Sequence, residues 1–120
     1  MSNSELKRGD VYLAEINYVG HDENLKHLKF VVILQSGKLF TNSDTVSVLV
    51  LTTKHLDRMY HTDVFVAAKE CGAAKGAKIL ANQPHTILKS QLVQWKYTLS
   101  ETTIEKMNVA LAVGVGLIAA

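Results

Sequence analysis

The feature that most constrains this chain is a change of hydrophobic period near residue 100. Before it, short runs rich in β-branched and aromatic residues alternate with polar or glycine-bearing breaks, the pattern of strands in a compact β domain. The runs fall at 10–17, 28–35, 45–53, 62–67, 77–82 and 93–99. Stretches 30–34 and 46–51 are nearly continuous in apolar residues, as expected of central strands covered on both faces. VYLAEI alternates more weakly. Gly72 and Gly76 bracket a loop, and the only proline, Pro84, is expected to close the fifth strand. After residue 100 the spacing turns helical: Ser100 is a good N-cap, Glu101 sits in the first turn, and Ile104, Met107, Leu111, Val115 and Ile118 recur along one stripe. The chain therefore reads as β-rich α+β, with one helix packed across a sheet or barrel. Gly114 and Gly116 each cost that helix about 1 kcal/mol relative to alanine, which points to close packing or an early end.

Composition narrows the class. A length of 120 residues suits one domain over 1–120, and 48% hydrophobic with 20% charged residues is a globular balance. A formal charge of +2 tolerates an anionic partner without demanding one. The lone Cys71 can form no internal disulfide and no zinc knuckle, so a reducing cytoplasm fits. The opening MSNSELKRGD has no apolar signal-peptide core, and the longest apolar run, 110–120, is too short for a membrane span. No metal-binding or cofactor motif stands out, and the triplet His21-Asp22-Glu23 reads on its own as solvated loop charge.

Local motifs, taken in order, resemble the MazF/PemK toxin family along most of the chain. KRGDVYLAEI is similar to the family's opening R-G-D/E and apolar strand, and Gly20-His21-Asp22-Glu23 to its G-H-E-Q loop. KFVVILQ matches the strand that the family begins with arginine and proline, and VLVLTT matches one that ends in L-T. ILANQPHTILKSQL resembles the C-D-Q-x-R-T-I-D-K-x-R-L box, and LSETTIEKMNVAL the terminal helix. The resemblance implies an SH3-like small barrel with a C-terminal helix, a two-fold homodimer that cleaves single-stranded RNA without a metal or cofactor, and a cognate antitoxin as partner. Gyrase-directed CcdB-like toxins share the barrel, so the fold does not by itself choose RNA cleavage.

The resemblance also assigns candidate residues. The family's basic residue at the head of the second strand falls on Lys29, and its hydroxyl residue at the end of the third on Thr52. His21 falls where some members carry a histidine that assists proton transfer, and imidazole titrates in the range where it can do so. An ammonium neutralises a phosphorane as a point charge but lacks the guanidinium fork. The charged pair of PemK-type members falls on Leu80 and Asn82, which carry no charge, so the chemistry would run through Lys29 and Thr52. Thr53, Lys54 and Arg58 follow as contacts to RNA, while Asn82, Gln83 and His85 offer amides and a ring to unstacked bases. Without the resemblance, Lys29 is a strand-end cation, Thr52 an ordinary strand threonine, and Asn82 and Gln83 satisfy backbone groups. Trp95 and Tyr97, two apart in VQWKYTL, are expected on one face as core or interface aromatics. Lys29 in place of arginine also leaves open a second class: a binding module with the toxin fold that sequesters an antitoxin or another protein and has lost cleavage.

Overall fold

The computed structural model describes residues 6–16, 27–35 and 41–119. Strands β1 (Asp10–Ile16), β2 (His27–Ile33) and β3 (Thr45–Thr52) form an antiparallel meander in the middle of one sheet. Paired residues of neighbouring strands share a face, so apolar runs at this density make two cores. Tyr12, Ala14, Val31, Ile33, Val48 and Val50 face the first, and Val11, Val32, Leu49 and Leu51 the second. Coverage of both faces, expected for β2 and β3, extends to β1.

The rest of the chain supplies the covers. Strands β4 (Asp63–Val66) and β5 (Ala77–Leu80) continue the sheet beyond the end of β3, with Leu51 paired to Ile79. β6 (His85–Leu88) pairs the first half of β3; a 3-10 turn (Lys89–Gln91) and β7 (Leu92–Thr98) then carry the chain to the free edge of β1. On this path Ile87 and Leu92 roof the first core, and Gln91 Nε2 donates to the Glu15 carbonyl at 2.7 Å. The outcome is a half-open small barrel: the ladders among the described residues run β4-β5-β3-β2-β1-β7 without closing.

A short helix α1 (Ala68–Cys71) and the C-terminal helix α2 (Glu101–Gly114) complete the fold. Ser100 caps α2 by accepting the Thr103 N–H at 3.2 Å, an interaction worth about 1 kcal/mol. The Glu70 carboxylate of α1 accepts from Ser100 N and Thr103 Oγ1, each at 2.9 Å, and its charge suits the positive end of the helix. Met107 is buried, and Ile104 and Leu111 pack on the second core.

Three expectations are corrected. Val115 and Ile118 do not extend the buried stripe; they are 50% and 49% exposed. The helix stops first and Gly116 turns the chain at φ +82, while Gly114, where a Cβ would lie 2.9 Å from Asn82 Cα, lets its last turn pack close. Next, the fifth strand ends at Leu80, and Pro84 precedes a strand instead of closing one. β6 buries Ile87 alone, so it leaves little apolar pattern to read, and proline is tolerated outside a strand start because no ladder donor is needed there. Finally, Trp95 and Tyr97 lie on opposite faces. The β1–β7 register slips between Val11 and Tyr12, which pairs Tyr97 with Val11 but Trp95 with Tyr12. One extra residue in a strand resets its alternation, leaving Trp95 52% exposed while Tyr97 packs on the second core.

Candidate active site

The site is built from a register. The β2–β3 ladder runs to Phe30 opposite Leu51, and one step further the same register sets Lys29 beside Thr52. On the far sides Lys29 pairs with Ala14, and Thr52 with Lys78. Residues opposite one another in an antiparallel pair have Cβ atoms about 4.5–5.5 Å apart, so Lys29, Thr52 and Lys78 form one row across three strands. Lys29 and Thr52 are both half-buried at the mouth of the row. Thr52 Oγ1 accepts the Lys54 N–H at 3.1 Å, the local turn that hydroxyl residues favour where a strand gives way to a loop. Its own O–H is a donor beyond that bond.

The loop after β3 presents Thr53, Lys54, His55 and Arg58 to solvent. It turns at His55, whose φ of +58 is unusual for a residue with a side chain, and Arg58 Nη2 lies 3.5 Å from His55 Nδ1. Sequence reasoning missed what holds this loop. Lys78 Nζ donates to the His55 carbonyl at 2.9 Å and the Arg58 carbonyl at 2.6 Å, and it is 3.3 Å from Asp63 Oδ2, with the two side chains 5% and 3% exposed. Asp63 Oδ2 also accepts the Tyr60 N–H at 3.0 Å. The ammonium has three N–H groups and three acceptors, so it is saturated. The available signal was a lysine inside the otherwise apolar AKIL: lysine is almost never buried unless paired.

Asn82, Gln83 and His85 do not join Lys29 and Thr52. They are exposed around the β5–β6 turn, and His85 pairs with Val48, four residues before Thr52 on the same strand. At about 3.3 Å per residue that separation is about 13 Å. Asn82 backs onto α2 through the Gly114 contact. His21 lies outside the described residues. Arg8, from the opening motif, is occupied elsewhere: it donates to the Leu34 carbonyl and to Asn108 Oδ1, tying the start of β1 to α2, and burial lowers its pKa.

On the second-core side, a cavity of about 320 Å³ opens beside the row, lined by Phe30, Leu51, Thr52, Thr53, Lys96 and Tyr97 together with the end of α1. The Tyr97 hydroxyl is pushed up from its ordinary pKa by burial, and further by Cys71 and Glu70. Among the described residues no group of three or more histidine, cysteine or acidic side chains is placed to hold a metal ion, and no helix is long and apolar enough to cross a membrane.

Comparison with known proteins places this geometry. The family model for the PemK-like, MazF-like toxin of type II toxin–antitoxin systems matches residues 7–115. Among solved structures, an endoribonuclease in complex with its cognate antitoxin from a mycobacterial species aligns with TM-score 0.76 at 24% identity, covering 95% of this chain and 98% of that one. The Mycobacterium tuberculosis toxin MazF-mt6 aligns with TM-score 0.73 at 18% identity over 89% and 96% of the two chains. MazE-MazF from Deinococcus radiodurans gives 0.70 at 14% over 92% and 95%. At these identities the structural likeness is one of fold.

Proposed function

We propose that this chain, which belongs to the PemK-like, MazF-like toxin family of type II toxin–antitoxin systems, is a single-domain endoribonuclease that cleaves single-stranded RNA without a metal. The observation that carries the reading is the register at Phe30 and Leu51, which sets a cation and a hydroxyl side by side at a strand mouth next to a loop with exposed Lys54 and Arg58. In the reaction the ribose 2′-oxygen bonds to the adjacent phosphorus while the bond from phosphorus to the 5′-oxygen breaks. A proton leaves the 2′-hydroxyl and another reaches the departing 5′-oxygen, giving a cyclic phosphate and a 5′-hydroxyl end. Lys29 steadies the charge of the phosphorane, Thr52 donates its O–H to a phosphoryl oxygen, and His21 carries the proton. Thr53, Lys54 and Arg58 hold the backbone of the strand, and Asn82, Gln83 and His85 read a base further along.

The partners follow the same reading. The chain acts in the cytoplasm as a homodimer and is held in check by a cognate antitoxin, the kind of partner bound to its mycobacterial structural relative. Exposed Val109, Val115, Leu117 and Ile118 on and after α2 supply apolar surface for association. Light scattering is expected to give twice the chain mass at micromolar concentration. The activity test is purified protein on a long single-stranded RNA with EDTA present. Site-dependent fragments ending in cyclic phosphate are the expected result. Intact RNA at high protein concentration would favour the second reading, a binding module, which Lys29 supports because one ammonium cannot grip two phosphate oxygens in parallel.

A further inference from the structure

We infer that the cavity beside Thr52 is a pocket for one unstacked nucleobase of the RNA strand, with Phe30 and Tyr97 as its aromatic walls and the Tyr97 hydroxyl as the polar contact to the base edge. The inference rests on the RNA-cleaving reading and deepens it by giving the substrate a second anchor. Its volume, about 320 Å³, is at the small end of ligand pockets, which suits a single ring system. The walls come from β2, β3, β5 and β7 and from the end of α1 with the loop after it, which contributes Ala73. Two features of this chain create them. Phe30 stands where the family motif has proline, and the β7 bulge turns Tyr97 toward the second core.

The choice of occupant follows from what shares the pocket. Thr52 borders it at the end of β3, so a base seated there lies across the strand end from the proposed row of Lys29 and Thr52, which shares the first-core face of Ala14. Lys96 at the rim is an exposed cation, which favours a polyanion over an apolar peptide side chain. Aromatic walls stack on any base face, whereas the phenol is selective because it must find a partner on the base edge. Burial keeps Tyr97 protonated through the physiological range, so it can both donate and accept.

Two measurements on the full chain test this. In the first, the ring signals of Phe30 and Tyr97 are followed by NMR during titration with adenosine or uridine 3′-monophosphate, and separately with N-acetyl-leucinamide. Nucleotide-dependent shifts that Ala73→Phe, which fills the cavity, abolishes are expected. Shifts with the leucine amide alone would overturn the inference in favour of a peptide side chain. In the second, cut sites on a randomised single-stranded RNA are sequenced for the parent and Tyr97→Phe, a change that removes only the hydroxyl. Base preference at one position beside the cut should fall by about tenfold, the worth of one net hydrogen bond. A parent that cleaves with the same preference as Tyr97→Phe would overturn the pocket alone. A parent that does not cleave while nucleotides still shift Tyr97 would overturn the cleavage reading and support the pocket.

Discussion

Lys29 and Lys78 flank Thr52 in one row across three strands, yet they are different kinds of residue. Lys78 is buried, and every proton of its ammonium has an acceptor: two carbonyls of the loop and Asp63. It cannot approach a phosphate without abandoning them, so it is scaffold, and what it scaffolds is the loop that carries Lys54 and Arg58. Lys29 sits half-buried at the mouth of the barrel, one step beyond the Phe30–Leu51 pair of the ladder with β3. Charge and nearness to Thr52 therefore do not by themselves assign a role. Three internal acceptors tie Lys78 to the loop, whereas Lys29 is half-buried near the end of its strand, where we propose it meets substrate.

The largest expected effect breaks the scaffold side. Lys78→Met leaves Asp63 buried with no cation, and removing one partner of a buried pair costs about 3–5 kcal/mol. Urea unfolding should show that loss, and a change within about 0.5 kcal/mol, the range of ordinary surface substitutions, would mean the pair is not buried in solution. Adding Asp63→Leu should restore most of the stability. It should not restore protection of the 53–62 backbone in hydrogen exchange, because the His55 and Arg58 carbonyls still lack their donor.

Next in size is the hydroxyl between the two lysines. Thr52→Val keeps the β-branched shape and deletes the donor, and cleavage should slow by about 100-fold with the unfolding midpoint little changed. Equal rates would remove Thr52 from the site. A smaller effect concerns salt. If Lys29, Lys54 and Arg58 carry the phosphate contacts, the logarithm of RNA affinity should fall with that of salt at a slope of about −2. A flat response would indicate a partner held by apolar contacts.

The smallest effect is at alkaline pH. The folded-state pKa of Tyr97 is raised above its ordinary 10.0, so the folded protein holds this proton more tightly than the unfolded chain does. The stability it confers is complete below pH 10 and declines as pH rises from there toward the folded-state value. Tyr97→Phe should therefore flatten part of the alkaline loss of stability, and identical pH profiles would mean that the ring is not buried as described.

Much of this architecture was legible in the sequence because it depends on local period. Continuous apolar runs marked β2 and β3, and a good cap with a helical stripe marked α2. The elements that escaped notice depend on partners distant along the chain. β6 buries only Ile87 and owes its form to pairing with β3, and the β7 bulge shows only in its register against β1. The candidate site divides in the same way. Lys29 and Thr52 were picked out by motif order and lie one step beyond the Phe30–Leu51 pair, whereas His85, from a later motif, pairs with Val48, about 13 Å along β3 from Thr52 by strand rise. The Lys78 clamp joins β5 to the loop after β3 and to β4, and only the folded chain brings those together.

We propose Lys29, and not the buried Lys78, as the cation of the reaction. Single-turnover cleavage of a single-stranded RNA in EDTA by Lys29→Ala, set against the parent at matched unfolding midpoints, tests it most directly. The account predicts a rate about 100- to 1,000-fold lower, as for loss of a positioned charge-stabilising donor, and recovery to the parent rate or above in Lys29→Arg. Cleavage by Lys29→Ala at the parent rate would contradict it.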